Sequence, residues 1–147
     1  MSDTLPDSLE EIKTDFTELG VKDRLQLLLE FSNELPSLPA SYVDHPDLFE
    51  RVVECQSPVF IFVEVDSERA VHLYATAPAE SPTTRGFASI LAQGLDGLSV
   101  DEVLAVPDDY PQSIGLTQAV SPLRLRGMTA MLGRTKRQLR ERVAALD

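Results

Sequence analysis

Every strand-like segment of this chain falls in one block, residues 51–75, with helical periodicity on both sides. At its centre is a five-residue apolar run, Val59-Phe60-Ile61-Phe62-Val63, with the length and β-branched content of a buried strand. Pro58 has no backbone donor and so marks the edge of that strand. Asp66-Ser67-Glu68-Arg69 reads as a turn. Residues 70–75 then alternate Val71, Leu73 and Ala75 with His72 and Tyr74, as a half-buried strand does. A shorter strand is expected over residues 51–53. Three successive strands joined by short connections can pair only as an antiparallel meander. Strands in one group with helices before and after give the order ααβββααα, which is α+β rather than α/β. The expected architecture is a small three-stranded antiparallel sheet packed against helices.

The helical flanks carry their own punctuation. Ser8-Leu9-Glu10-Glu11 reads as a capping box, followed by Leu9, Ile12, Phe16 and Leu19 on one face, with Gly20 ending the helix. A second helix turns Val21, Leu25, Leu28 and Leu29 inward and stops near Leu35-Pro36. The two form an αα-hairpin expected to pack on the sheet. Residues 36–46 are irregular, pinned by Tyr42 and Phe49. After the strands, Ser81-Pro82 fits N-cap and N1 of a helix carrying Phe87, Ile90 and Leu91, broken by Gly94 and Gly97. Ser99-Val100-Asp101-Glu102 is a second capping box, opening a short helix through Leu104. Residues 107–111 read as a connector. Ser121-Pro122 caps the last and longest helix, with Leu125, Met128, Leu132, Leu139, Val143 and Leu146 near one face. No internal repeat or low-complexity segment is present.

A chain of 147 residues, 43% hydrophobic and 25% charged, has the size and balance of one soluble domain spanning residues 1–147. No apolar run approaches the ~18 residues of a membrane span. Met1-Ser2-Asp3-Thr4-Leu5 has neither the basic nor the apolar region of a secretory signal. One cysteine permits no internal disulfide, and a reducing cytoplasm is the expected home. The net charge of −11 is unevenly divided. Residues 1–123 hold 6 basic and 22 acidic side chains, residues 124–147 hold 7 basic and 2 acidic. An acidic bulk makes a poor nucleic-acid binder. The basic tail either pairs with the body or faces an acidic partner.

The one cysteine, Cys55, lies in Glu54-Cys55-Gln56-Ser57-Pro58, a polar turn directly before the apolar strand. A free cysteine is commonly a small buried hydrophobe. A thiol at a loop tip beside a strand can also serve as a nucleophile, sheltered until a partner arrives. Metal chemistry needs three or four ligands, and one Cys with His45 and His72 in separate segments does not supply them. Neither a metal nor another cofactor is expected. His72 reads as an exposed strand residue and His45 as a loop residue. A Cys-His hydrolase would need one of these histidines at Cys55, with no local signature for it. Gly94 and Gly97 follow a helix and make no phosphate loop. Met128 and Met131 read as core.

Three blocks together resemble the SufE family, the sulfur-acceptor proteins that work with cysteine desulfurases in iron–sulfur cluster assembly. They are Cys55-Gln56-Ser57 before an apolar strand, Arg85-Gly86-Phe87-Ala88-Ser89-Ile90-Leu91, and Leu116-Thr117-Gln118 through Ser121-Pro122-Leu123-Arg124 to Gly127-Met128. Their order and spacing match, and with the leading helices the likeness covers nearly the whole chain. The chain departs from the usual pattern at Glu54, where glycine is common, at Glu50, where asparagine is common, and at Ala119, where some members have histidine.

The resemblance implies a SufE-like fold, shared with cluster scaffolds whose several cysteines are missing here. It implies a persulfide acceptor on Cys55, loaded by a cysteine desulfurase that it stimulates, and delivery to an iron–sulfur cluster scaffold. The protein would then be a relay acting with its desulfurase rather than an independent enzyme, a monomer or weak homodimer without nucleic-acid or membrane partners. The resting thiol is expected to be mostly buried and directed toward the apolar strands. Arg85 and Arg124 match the family's basic positions and are candidates for a cation that favours thiolate. Gln56 and Ser57 either donate to the sulfur or shape the turn, turn-shaping being the reading for Ser57. Glu54 should raise the thiol pKa and remove a hinge. The alternative is a binding module that regulates a desulfurase or rhodanese-type sulfurtransferase without carrying sulfur.

Overall fold

The computed structural model describes residues 5–146, so the reading of the N-terminus as no secretory signal lies outside the described residues except for Leu5. The chain runs α1 (Asp7–Thr17), α2 (Val21–Asn33), a one-turn α3 (Ala40–Val43), β1 (Glu50–Arg51), β2 (Phe60–Val65), β3 (Val71–Thr76), α4 (Pro82–Gly94), α5 (Val100–Leu104), α6 (Tyr110–Ser113) and α7 (Pro122–Leu146). Short 3-10 turns interrupt it at Pro46–Leu48, Val53–Cys55 and Leu116–Gln118. The class is α+β, with one antiparallel sheet in the order β1-β2-β3.

Alternation along the strands sorts the two faces of the sheet. Ile61, Val63, Val71, Leu73 and Ala75 are buried on the side packed by α4 and α7. Phe60, Phe62, His72 and Tyr74 are half-buried on the other. There Tyr42 meets Phe62 at 5.1 Å and Tyr74 at 5.3 Å between ring centroids, and Phe49 meets Phe62 at 5.7 Å. These contacts pin the irregular stretch, as its two aromatics suggested. The register pairs Phe62 with Tyr74 and Glu50 with Ile61.

Several local readings change. The first strand is Glu50–Arg51, two residues only, because the chain at Val53 tightens into a 3-10 turn. The αα-hairpin packs chiefly on α4 rather than on the sheet. Gly86 permits this: a Cβ there would stand 2.3 Å from the Leu28 carbonyl oxygen, so only glycine lets α2 and α4 approach so closely. Val21 is exposed and Ser32 buried on α2, since the hairpin faces one helix instead of a broad sheet. Ser8 makes no capping box. It lies inside α1, after Pro6, and its hydroxyl donates to the Gly94 carbonyl at 2.6 Å, tying α1 to the end of α4. The second capping box does form, with Glu102 N donating to Ser99 Oγ at 3.1 Å and Ser99 N to Glu102 Oε1 at 2.9 Å. The connector at residues 107–111 runs into α6, whose Tyr110 is fully buried and donates to the Leu9 carbonyl at 2.9 Å.

Helix α7 starts at Pro122 as its Ser-Pro pair indicated, with Arg124 N reaching Ser121 Oγ at 3.3 Å. It buries Gly127, Met128, Met131, Leu132, Thr135, Lys136, Gln138 and Leu139, while Leu146 stays exposed. The basic tail pairs with the body. Lys136 donates to Asp108 at 2.8 Å, Arg142 stacks 4.7 Å from the Phe62 ring, and Gln138 accepts from Val63 N at 2.9 Å. No helix among the described residues is long and apolar enough to cross a membrane.

Candidate functional site

Cys55 closes the Val53–Cys55 turn, which is seated between the first strand and α7. Val52 is fully buried and its N–H donates to the Val59 carbonyl at 2.8 Å, so the intervening loop is pinched at its base. Cys55 N reaches the Val52 carbonyl at 3.1 Å. Gln56 then takes a left-handed conformation, φ 61°, which reverses the chain. Ser57 donates nothing to the sulfur. Its carbonyl accepts from Val59 N at 2.7 Å across Pro58, which shapes the turn, and its buried hydroxyl has no partner.

The thiol is half-buried. It donates to the Gly127 carbonyl on α7 at 3.6 Å, so it is directed at that helix rather than at the apolar strands. A Cβ on Gly127 would lie 3.1 Å from Cys55 Cα and 3.2 Å from Sγ. Any side chain at this position would press on the turn where it rests on the helix. The other side of the thiol opens on a surface pocket of about 310 Å³ lined by Cys55, Gln56, Ser57, Ser81, Ser121, Leu123 and Arg124. Leu123 in that lining is an exposed large apolar side chain, and so is Val53, two residues before the thiol.

The two candidate cations separate. Arg124 lines the pocket and holds Thr83 Oγ1 at 3.4 Å. Arg85 does not reach it: Nε donates to the Ser32 carbonyl at 2.9 Å and Nη1 to the Ala77 carbonyl, which clamps α4 to α2 and to the end of the sheet. A guanidinium spent on two backbone carbonyls holds the fold together, and its residue type and spacing do not reveal that.

The cation that sequence reasoning missed is Arg134. It grips Glu54 with two parallel bonds, Nε to Oε1 at 3.0 Å and Nη2 to Oε2 at 3.1 Å, and its Nη1 reaches Glu50. Arg137 and Gln138 also bind Glu50. The one available signal was the basic tail itself, without any indication of which carboxylates it met. Hydrogen bonds from Arg134 hold Glu54 below the usual carboxylate range. Glu50 is also lowered: burial pushes it up, but bonds from Gln138, Arg134 and Arg137 outweigh that. Burial, and then the Glu54 charge, push the Cys55 thiol up to about 11, with Arg134 pulling the other way. At neutral pH roughly one thiol in ten thousand is ionised at such a value.

The histidines stand apart from this site. His72 is half-buried rather than exposed, because Nδ1 meets Asp96 at 2.7 Å and Nε2 meets Asp66 at 2.8 Å across the end of the sheet. His45 is an exposed loop residue. Neither lines the Cys55 pocket. Among the described residues no group of three or more His, Cys, Asp or Glu is placed to hold a metal ion.

Residues 10–139 match the family model described as SufE, the Fe-S metabolism associated domain. An uncharacterized SufE-like protein of Mycobacterium tuberculosis is 53% identical over 138 residues, covering 94% of this chain and 95% of that protein. A chloroplastic/mitochondrial SufE-like protein 1 of Arabidopsis thaliana is 32% identical over 129 residues, 87% of this chain and 33% of that longer protein. The solution structure of a hypothetical protein from Thermus thermophilus superposes with a TM-score of 0.83 at 37% identity, over 96% of this chain and 99% of its own. With the matched region holding the cysteine turn, the sheet and most of α7, the chain belongs to the SufE family and has a role in iron–sulfur metabolism.

Proposed function

We propose that Cys55 is a persulfide acceptor: the protein takes sulfur from a cysteine desulfurase, stimulates that enzyme by clearing its cysteine, and hands the sulfur to an iron–sulfur cluster scaffold. The observation that carries this reading is the half-buried thiol at the mouth of an open pocket, on a turn closed by a left-handed residue. The Cys55 thiolate attacks the outer sulfur of the donor persulfide. That S–S bond breaks, a new one forms on Cys55, and the donor cysteine leaves as a thiolate that takes up the proton. No net oxidation occurs, and one cysteine is sufficient for acceptance and later release.

Shelter and reactivity are in tension here. A protonated thiol held on the Gly127 carbonyl resists stray oxidants. Docking must draw the turn outward, which removes the burial that raises its pKa most. Exposed Val53 and Leu123 offer the partner an apolar foothold beside the sulfur. In this reading residues 1–147 act as one SufE-like domain in the reducing cytoplasm, as a monomer or weak homodimer. Arg124 steadies the anionic persulfide in the pocket, and Gln56 and Ser57 set the turn.

The test is mass spectrometry after incubation with a cysteine desulfurase and cysteine. A gain of one sulfur on Cys55 is expected. A Cys55→Ser variant that stimulates the desulfurase as well as the native chain does would overturn the covalent role. The largely protonated thiol favours a second reading, a non-covalent regulator of the desulfurase. Alkylation of Cys55 with the partner present separates the two, since a pure binder leaves the thiol inert.

A further inference from the structure

Two carboxylates lead into the cysteine, Glu50 on the first strand and Glu54 within the turn itself. Left alone, Glu50 and Glu54 would repel a thiolate. In the structure both are held by one guanidinium. Arg134 binds Glu54 bidentately and Glu50 through its third nitrogen. The planar fork of arginine suits such a bridge and a lysine cannot reproduce it. The clasp is partly withdrawn from water, with side-chain exposures of 25% for Arg134 and 37% for Glu54, so salt screens it incompletely.

The clasp spans a long stretch of sequence. Glu54 precedes the thiol directly, while Arg134 lies on α7, two helical turns beyond the Gly127 carbonyl that accepts the thiol's hydrogen bond. Two adjacent residues of the turn, Glu54 and Cys55, are thus both fixed to α7. We propose that Arg134 is a positioning residue of the Cys55 site, seating the thiol-bearing turn on α7 through Glu54 and Glu50 and neutralising the carboxylate beside the sulfur. The inference rests on Cys55 being the working atom. The charged groups facing the thiol are Glu54 on its own turn and Arg134 and Arg124 from α7, and the remaining pocket lining is uncharged. Drawing the turn outward must open the clasp, so the same residue that tempers Glu54 at rest sets how readily the thiol is presented.

The test needs no sulfur donor, so its failure and a failure of sulfur carriage are distinguishable. The titration midpoint of Cys55 is followed by thiolate absorbance in the reduced full-length chain, and the plateau alkylation rate reports access. Arg134→Gln frees the turn, so the plateau rate should rise several-fold, while the lost cation and the lost burial act on the midpoint in opposite senses. Glu54→Gln should raise the plateau as well and move the midpoint down, and the double variant should gain no further plateau rate, since the same clasp is broken in each. Arg134→Lys, which keeps the charge without the fork, should keep the midpoint closer to native while raising the plateau. A role confined to folding would lower thermal stability without raising the plateau rate. A plateau rate unchanged in Arg134→Gln, or in Glu54→Gln should the former fail to fold, overturns the proposal.

Discussion

Replacing Gly127 by alanine probes directly how the cysteine turn is seated. Two effects oppose each other. Removing a glycine from within a helix stabilises by about 1 kcal/mol, and Gly127 lies in the second turn of α7. The new methyl would stand 3.1 Å from Cys55 Cα, 3.2 Å from Sγ and 3.3 Å from the Glu54 carbonyl oxygen. Carbon pairs relax to roughly 3.5–4.0 Å, so the turn must retreat by about half an ångström. Overpacking of this kind costs about 1–3 kcal/mol, and the Arg134 clasp on Glu54 resists the retreat. The net expectation is a loss of about 0–2 kcal/mol, read from urea unfolding. The thiol should lose its Gly127 carbonyl partner and react several-fold faster with iodoacetamide at fixed pH. A variant more stable by the full helix-propensity gain, with an unchanged alkylation rate, would show that the turn does not rest on α7.

Other substitutions test the framework. Arg85→Ala should cost about 2–4 kcal/mol by leaving the Ser32 and Ala77 carbonyls without their donor, whereas Arg124→Ala, at an exposed position, should change unfolding free energy by less than about 0.5 kcal/mol; equal losses would refute the division between them. Gly86→Ala should destabilise by about 3 kcal/mol or more, because its Cβ would meet the Leu28 carbonyl oxygen at 2.3 Å and backbone cannot yield easily; a neutral result in thermal unfolding would contradict the close crossing of α2 and α4. His72 titrates with a raised pKa, through its bonds to Asp96 and then Asp66. Its contribution to stability is therefore fully present below the ordinary value of 6.5 and lost as pH rises through the raised folded value. Stability measured against pH should show that loss in the native chain and not in His72→Gln.

Much of this architecture was written in local pattern. The alternation Val71, Leu73, Ala75 against His72, Tyr74 could be satisfied only by a strand with one buried face, and the short links on either side of residues 60–65 left only antiparallel pairing. Ser121-Pro122 and Ser99 with Glu102 announced helix starts because their partners lie within one turn. The same logic failed at Ser8, which has the same spacing to Glu11. The reason is where the helix begins: α1 starts at Asp7, so Ser8 lies past the N-cap and its hydroxyl donates to the Gly94 carbonyl instead. The motif glycines were legible as letters but not as reasons. Gly86 is required by the Leu28 backbone and Gly127 is favoured by the close seat of Cys55, each far away in sequence.

By itself, then, the amino-acid order determined where strands and long helices form and which thiol is available, since those depend on periodicities and on residue types that act over a few positions. The partners of Arg85, Arg124 and Arg134 were decided by tertiary structure alone. Arg85 was absorbed by two carbonyls, Arg124 was left at the pocket, and Arg134, 80 positions from Glu54, closed on the carboxylate beside the sulfur. Long cationic side chains reach several ångströms in any direction, so their partners are fixed only when packing sets which backbone passes nearby.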